Sequence, residues 1–141
     1  MATPSVLAAE ATPKSKNVNE RLRIGFIGVG GRCQSHINSA IKLQNEGKVE
    51  IASVCDVFNR RLETTADTVL KGTKKAPKQT GDYRDIVGDP SIDAVCIATP
   101  DHWHARQTID ALKAGKHVYC EKPMTHSVAE ALDVYKIWKD S

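Results

Sequence analysis

From Leu22 onward, short apolar runs alternate with longer stretches in which apolar residues return every three or four positions. Leu22–Ile27 is an apolar run stopped by glycines, the pattern of a strand buried on both faces. Residues 31–44 carry Ile37, Ala40, Ile41 and Leu43 and end shortly before Gly47, which predicts a helix. Residues 49–54 read as a second strand and residues 60–71 as a second helix, closed by Gly72. A weak third strand is expected at Lys78–Thr80, followed by a helical turn at Tyr83–Val87. Residues 92–98 form a fourth strand, opened by the turn Asp89-Pro90-Ser91. Residues 102–114 form a helix closed by Gly115, and His117–Cys120 a fifth strand. Ser127, with Glu130 three residues on, makes a capping box for a last helix that runs to about Trp138.

Alternating strands and helices argue for βαβ units, a parallel sheet and right-handed crossovers. The expected fold class is α/β: a Rossmann-type doubly wound parallel sheet in three αβα layers, one domain over residues 21–141. Ligands of such sheets bind beyond the carboxyl ends of the strands, where the strand order reverses. The residues just after each strand are therefore where chemistry is sought.

Residues 1–20 show no sustained period and are rich in Ala, Thr, Pro, Ser, Asn and Lys, so a disordered lead-in is expected there. Within it, Pro4-Ser5-Val6-Leu7-Ala8-Ala9-Glu10 resembles the tail of an export signal without its charged start and long apolar centre. As written, the chain is expected in the cytoplasm. Apolar residues are 40% and charged residues 26%, with a net charge of +3, which is ordinary globular material. No apolar stretch nears the roughly 20 residues that span a bilayer. Lys71, Lys74, Lys75 and Lys78 gather at a Gly- and Pro-containing loop with no aromatic residues between them. A solvated turn is expected there, and no nucleic-acid partner. Cys33, Cys55, Cys96 and Cys120 are widely spaced without a Cys-x-x-Cys, so buried small side chains are expected rather than a metal or disulfide framework.

After the first strand comes Gly28-Val29-Gly30-Gly31-Arg32-Cys33. Gly28 allows a tight turn, Gly30 lets backbone approach a pyrophosphate, and the helix that follows offers unpaired amides and the positive end of its dipole. Cys33 stands where Gly or Ala is usual, a position that sets helix–strand packing rather than phosphate contact. After the second strand, Asp56 lies 28 positions beyond Gly28, past the usual offset of about 20, behind a long intervening helix and loop. A carboxylate there accepts from ribose hydroxyls and repels a 2′-phosphate, so NAD is favoured over NADP; Arg60 and Arg61 nearby leave room for a phosphate. Asp56 also reads as a helix N-cap.

After the fourth strand comes Thr99-Pro100-Asp101-His102-Trp103-His104. His102 and His104, two positions apart, point to different sides of a helix, so a ligand-facing loop stiffened by Pro100 is expected and no metal site. After the fifth strand comes Glu121-Lys122-Pro123, where a Glu beside a Lys either holds and tunes it for proton work or forms a solvated turn.

Together these segments resemble the Gfo/Idh/MocA family of glucose–fructose oxidoreductases and inositol dehydrogenases. Residues 24–32, Asp56, residues 98–104 and the run Ala114-Gly115-Lys116 to Glu121-Lys122-Pro123 carry the likeness, which covers about residues 21–138. The resemblance implies hydride transfer between a sugar or polyol carbon and nicotinamide. It implies that Lys122 contacts substrate and cofactor and assists proton transfer. Pro123 would then shape the nicotinamide pocket, while Gly28, Gly30, Gly31, Arg32, Asp56, Arg61, Thr99, Pro100, His102 and Glu121 bind cofactor. Several family members are exported by a twin-arginine signal, which would place such a parent in the periplasm. Family members continue into a sixth strand and a second α/β domain that holds the sugar, whereas this sequence stops at Lys139-Asp140-Ser141. The chain is thus expected to be the cofactor half of a longer enzyme, binding NAD but lacking sugar turnover. Val134, Ile137 and Trp138 on the last helix are expected to be poorly covered and to favour self-association. Two alternatives stand beside this: an NAD-dependent glycoside hydrolase of the same family, and a non-catalytic nucleotide-sensing module. A methyltransferase is disfavoured by the fifth-strand motif.

Overall fold

Each apolar run forms a strand in the computed structural model, which describes residues 21–141. The expected lead-in and export-signal tail lie outside the described residues. The strands are β1 (Leu22–Ile27), β2 (Val49–Cys55), β3 (Lys78–Thr80), β4 (Ala94–Ile97) and β5 (His117–Cys120). They are joined by helices α1 (Cys33–Asn45), α2 (Asn59–Thr73), α3 (Tyr83–Val87), α4 (His104–Lys113) and α5 (Val128–Lys139). The strands pair in parallel in the order β3-β2-β1-β4-β5, so the order reverses between β1 and β4. That is the switch point at which such sheets bind ligands.

Successive strand residues face opposite ways, and both faces are apolar. Phe26, Val54 and Cys96 pack with Ile37, Leu62 and Val69 of α1 and α2. Their neighbours Ile27, Cys55, Val95 and Ile97 pack with Ile86 and Ala111 of α3 and α4. Three layers result. Gly25 is where the sheet meets α3 most closely: a Cβ there would lie 2.4 Å from Ile86 Cγ2.

Some boundaries depart from the pattern. Helix α2 runs through Gly72 to Thr73 and is capped by Lys74 in the left-handed conformation, with φ at 60°. Gly72 serves helix packing instead, because a Cβ there would sit 2.8 Å from Ile41 Cγ2 of α1. The stretch 102–114 divides into a 3₁₀ turn at Asp101–Trp103 and then α4. β4 starts later than expected because Ile92 still closes the preceding turn, donating its amide to the Asp89 carbonyl. The buried Lys116 ammonium fastens that turn, donating to the carbonyls of Asp89 at 2.6 Å and Ile92 at 2.8 Å.

The Ser127–Glu130 capping box forms as expected. On α5, however, Val134 is buried, since it faces α4. The exposed apolar stripe is Val128, Leu132 and Tyr135, spaced at helical intervals, with Trp138 beyond. All four cysteines are unpaired, three of them buried. Burial pushes the Cys55 thiol up to about 12, and the Cys96 thiol beside Cys33, with burial, raises Cys33 as well. Of the loop lysines, Lys71 pairs with Asp67 and Lys75 with Glu50. No helix among the described residues is long and apolar enough to cross a membrane.

Candidate functional site

The end of β1 and the end of β4 meet at Gly28. Its φ is +80°, and a Cβ there would stand 2.6 Å from the Thr99 amide nitrogen. Only glycine satisfies both demands. The turn that follows is fixed from below: the Gly28 amide donates to the Cys55 carbonyl at 2.8 Å, and the Val29 amide donates to Asp56 Oδ2 at 3.0 Å. The next three amides, of Gly30, Gly31 and Arg32, make no hydrogen bond among the described residues. They directly precede α1, so three free donors stand in sequence at the helix's positive end. A phosphate group fits that donor set.

Asp56 sits at the end of β2, buried. Its Oδ1 accepts from the Phe58 amide at 2.9 Å while Oδ2 holds the glycine turn. The N-cap of α2 is Phe58, so Asp56 does not cap that helix; it closes an Asx-type turn two residues earlier. One lone pair on each carboxylate oxygen remains for a ribose hydroxyl. Arg61 lies over Gly30, with Nη1 3.4 Å from where a Cβ would be, and its guanidinium sits 5.6 Å from the Phe58 ring centroid.

Between these ends opens a cleft of about 400 Å³, within the range of small-molecule sites. Of the expected residues it gathers Gly28, Gly30, Asp56, Arg61, Thr99 and Pro100. It also gathers Phe58, Asp82, Tyr83, Arg84 and Gln107, which sequence reading passed over, and Trp103 of the loop expected to face a ligand. Tyr83 and Trp103 stand 6.5 Å apart, centroid to centroid, as an aromatic wall. Thr99 Oγ1 donates to Gln107 Oε1 at 2.7 Å, so α4 sets the Thr99 side chain.

His102 does not line this cleft; it is exposed on the 3₁₀ turn. His104 is the one turned inward, with Nδ1 2.8 Å from the Pro123 carbonyl and Nε2 2.9 Å from the Thr99 carbonyl. It ties the loop after β4 to the loop after β5. No cluster of three metal-ligating side chains forms among the described residues.

Gly31, Arg32, Glu121, Lys122 and Pro123 do not line this cleft; Arg32 and Glu121 are joined by an ion pair. Glu121 does not hold the Lys122 ammonium. Residues alternate at a strand end, so Glu121 turns inward to α1 while Lys122 projects outward. Glu121 Oε1 accepts from Arg32 Nε at 2.9 Å and lies 2.5 Å from His36 Nε2. Oε2 accepts only the Lys122 backbone amide, at 3.3 Å. Hydrogen bonding to His36, then to Arg32 and that amide, outweighs burial and holds the Glu121 carboxyl at about 2 against an ordinary 4.5. The Lys122 ammonium has no partner among the described residues.

The depressed Glu121 value has a testable sign. The folded carboxyl releases its proton more readily than the unfolded one, so its contribution to stability is fully present above the unfolded value. It is lost as pH falls from about 4.5 toward about 2. Glu121→Gln should flatten that part of the acid-unfolding curve followed by circular dichroism; an unchanged curve would show that the carboxylate is not held.

Comparison with known proteins places the chain in a family. Residues 22–141 match the profile of the Gfo/Idh/MocA oxidoreductase family, NAD-binding Rossmann fold. A glycosyl hydrolase family 109 protein of Shewanella baltica is 37% identical over 117 residues, which is 80% of this chain and 25% of that protein. Myo-inositol 2-dehydrogenase from Lactobacillus plantarum superposes with a TM-score of 0.76 at 27% identity, over 86% of this chain and 34% of that one. A levoglucosan dehydrogenase in complex with NADH gives 0.75 at 29% identity, over 86% of this chain and 33% of that one. The chain thus spans about a quarter of the curated relative and a third of the solved chains.

Proposed function

The chain belongs to the Gfo/Idh/MocA oxidoreductase family, and from that premise we propose that it holds NAD for hydride exchange with a sugar or polyol carbon. The observation that carries this reading is the set of three free amides at the switch point, with the Asp56 carboxylate directly beside them. Gly28, Gly30, Gly31 and Arg32 take the diphosphate. Asp56 accepts from the adenosine ribose hydroxyls and disfavours a 2′-phosphate, while Arg61 and the Tyr83–Trp103 wall enclose the adenosine end. Thr99, Pro100 and His102 line the cofactor, and Glu121 and Pro123 lie toward its nicotinamide end. When bound, the nicotinamide supplies the hydride acceptor; the protein supplies orientation and electrostatics. Lys122, exposed at the carboxyl end of β5 and bearing a free ammonium, is placed to exchange a proton with the reacting hydroxyl.

A second reading is favoured by the name of the curated relative: NAD-dependent glycoside cleavage, in which oxidation is transient and the cofactor is restored. One pair of assays separates them. The full product of the open reading frame that encodes these 141 residues is given NAD with a panel of sugars and polyols and followed at 340 nm. Nitrophenyl glycosides are tested in parallel. Net NADH formation supports the dehydrogenase; nitrophenol release without net NADH supports the glycosidase. Neither signal from that product would overturn both.

A further inference from the structure

His36 lies one turn into α1, 85 positions from the carboxylate it meets, and neither the glycine turn nor the fifth-strand motif includes it. We propose that His36 is a positioning residue for the dinucleotide's diphosphate: through Glu121 it fixes the Arg32 guanidinium between the start of α1 and the end of β5. This rests on the cofactor reading above.

The physical case begins with Arg32. Its side chain is 65% exposed, and an exposed arginine gains little from a surface ion pair against the entropy of holding a long side chain still. A solvated partner would leave it mobile. Its partner here is buried, with only 6% of the Glu121 side chain exposed, and that carboxylate is itself clamped. His36 shares Oε1 at 2.5 Å, and the Lys122 amide takes Oε2 at 3.3 Å. With both oxygens engaged, Arg32 meets the carboxylate through Nε alone. The two terminal nitrogens of the guanidinium therefore stay available, in a plane set by the Nε bond. They belong to the residue whose free amide closes the glycine turn. Those donors suit a diphosphate oxygen. The imidazole is held in turn by Tyr119 of β5, edge-to-face at 5.0 Å and 61°.

Removing His36 frees one side of Oε1 and lets the guanidinium swing or close on the carboxylate. The loss then falls on phosphate binding and not on the adenosine cleft, which shares no residue with this chain of contacts.

The test titrates NADH and adenosine into the 141-residue chain and into His36→Leu, His36→Gln, Arg32→Ala and the His36→Leu/Arg32→Ala double variant. Residues that act as one unit give non-additive losses, so each of His36→Leu and Arg32→Ala should weaken NADH about tenfold and the double about tenfold again in total, not about a hundredfold. His36→Gln, which keeps a donor, should stay within about threefold of the parent, and adenosine should change by less than about twofold throughout. Additive losses, or adenosine weakened along with NADH, would overturn the proposal, as would a His36→Leu variant that binds NADH like the parent. A parent chain that binds adenosine but not NADH would overturn the cofactor reading itself and this inference with it.

Discussion

Gly28→Ala is expected to weaken dinucleotide binding about a hundredfold or more and to lower stability by about 3 kcal/mol. Two separate costs combine. A φ of +80° is a left-handed conformation that costs an alanine about 1–2 kcal/mol. The added Cβ would also meet backbone: the Thr99 nitrogen at 2.6 Å and its Cα at 2.8 Å. Backbone cannot rotate away, so β1 and β4 must part at their carboxyl ends, with a further cost of about 1–3 kcal/mol from overpacking. That is the point where the free amides stand, so NADH affinity should fall about a hundredfold or more as the donors lose alignment. Thermal unfolding should drop by about 10 °C. A Gly28→Ala chain that melts and binds like the parent would mean that the turn is not built as described.

The second large effect falls on Asp56. Its carboxylate accepts two backbone amides, from Val29 in the glycine turn and Phe58 before α2. In Asp56→Asn the amide oxygen can keep one of them, and its NH₂ then faces the other N–H. A buried donor left unsatisfied beside a donor costs about 1–3 kcal/mol. The ribose contact weakens at the same time. Asp56→Asn should lower stability by about 2 kcal/mol and weaken NADH about thirtyfold, with NADPH affected far less because the repulsion of its 2′-phosphate is relieved. Urea unfolding and paired titrations check both. Equal losses for the two cofactors would remove Asp56 from cofactor choice and leave it a purely structural role.

The fold was legible because its strands are buried on both faces and glycines punctuate them. Leu22–Ile27 could be read as a central strand from six residues. Gly72 misled, since a helix-packing glycine and a helix-ending glycine look the same in one dimension; only the presence of Ile41 across the interface separates them. The glycine turn and Asp56 were legible because they follow strong strands. Gly81 to Arg84 follow β3, a three-residue edge strand with two exposed positions, and so weak a strand drew no attention to what comes after it. Residues after every strand, weak ones included, would have found Tyr83. His36 had no local signal at all: α1 and β5 meet only once the sheet is assembled. The histidine pair after β4 was expected to point to different sides, and it does. The 3₁₀ turn, not a regular helix, decides that His104 points in and His102 out.

Calorimetric titration of the 141-residue chain with NADH and with NADPH tests the central claim most directly. The geometry of Asp56 and the three free amides predicts saturable NADH binding, tighter than NADPH by about tenfold or more. Tighter NADPH binding, or no binding of either, would contradict it.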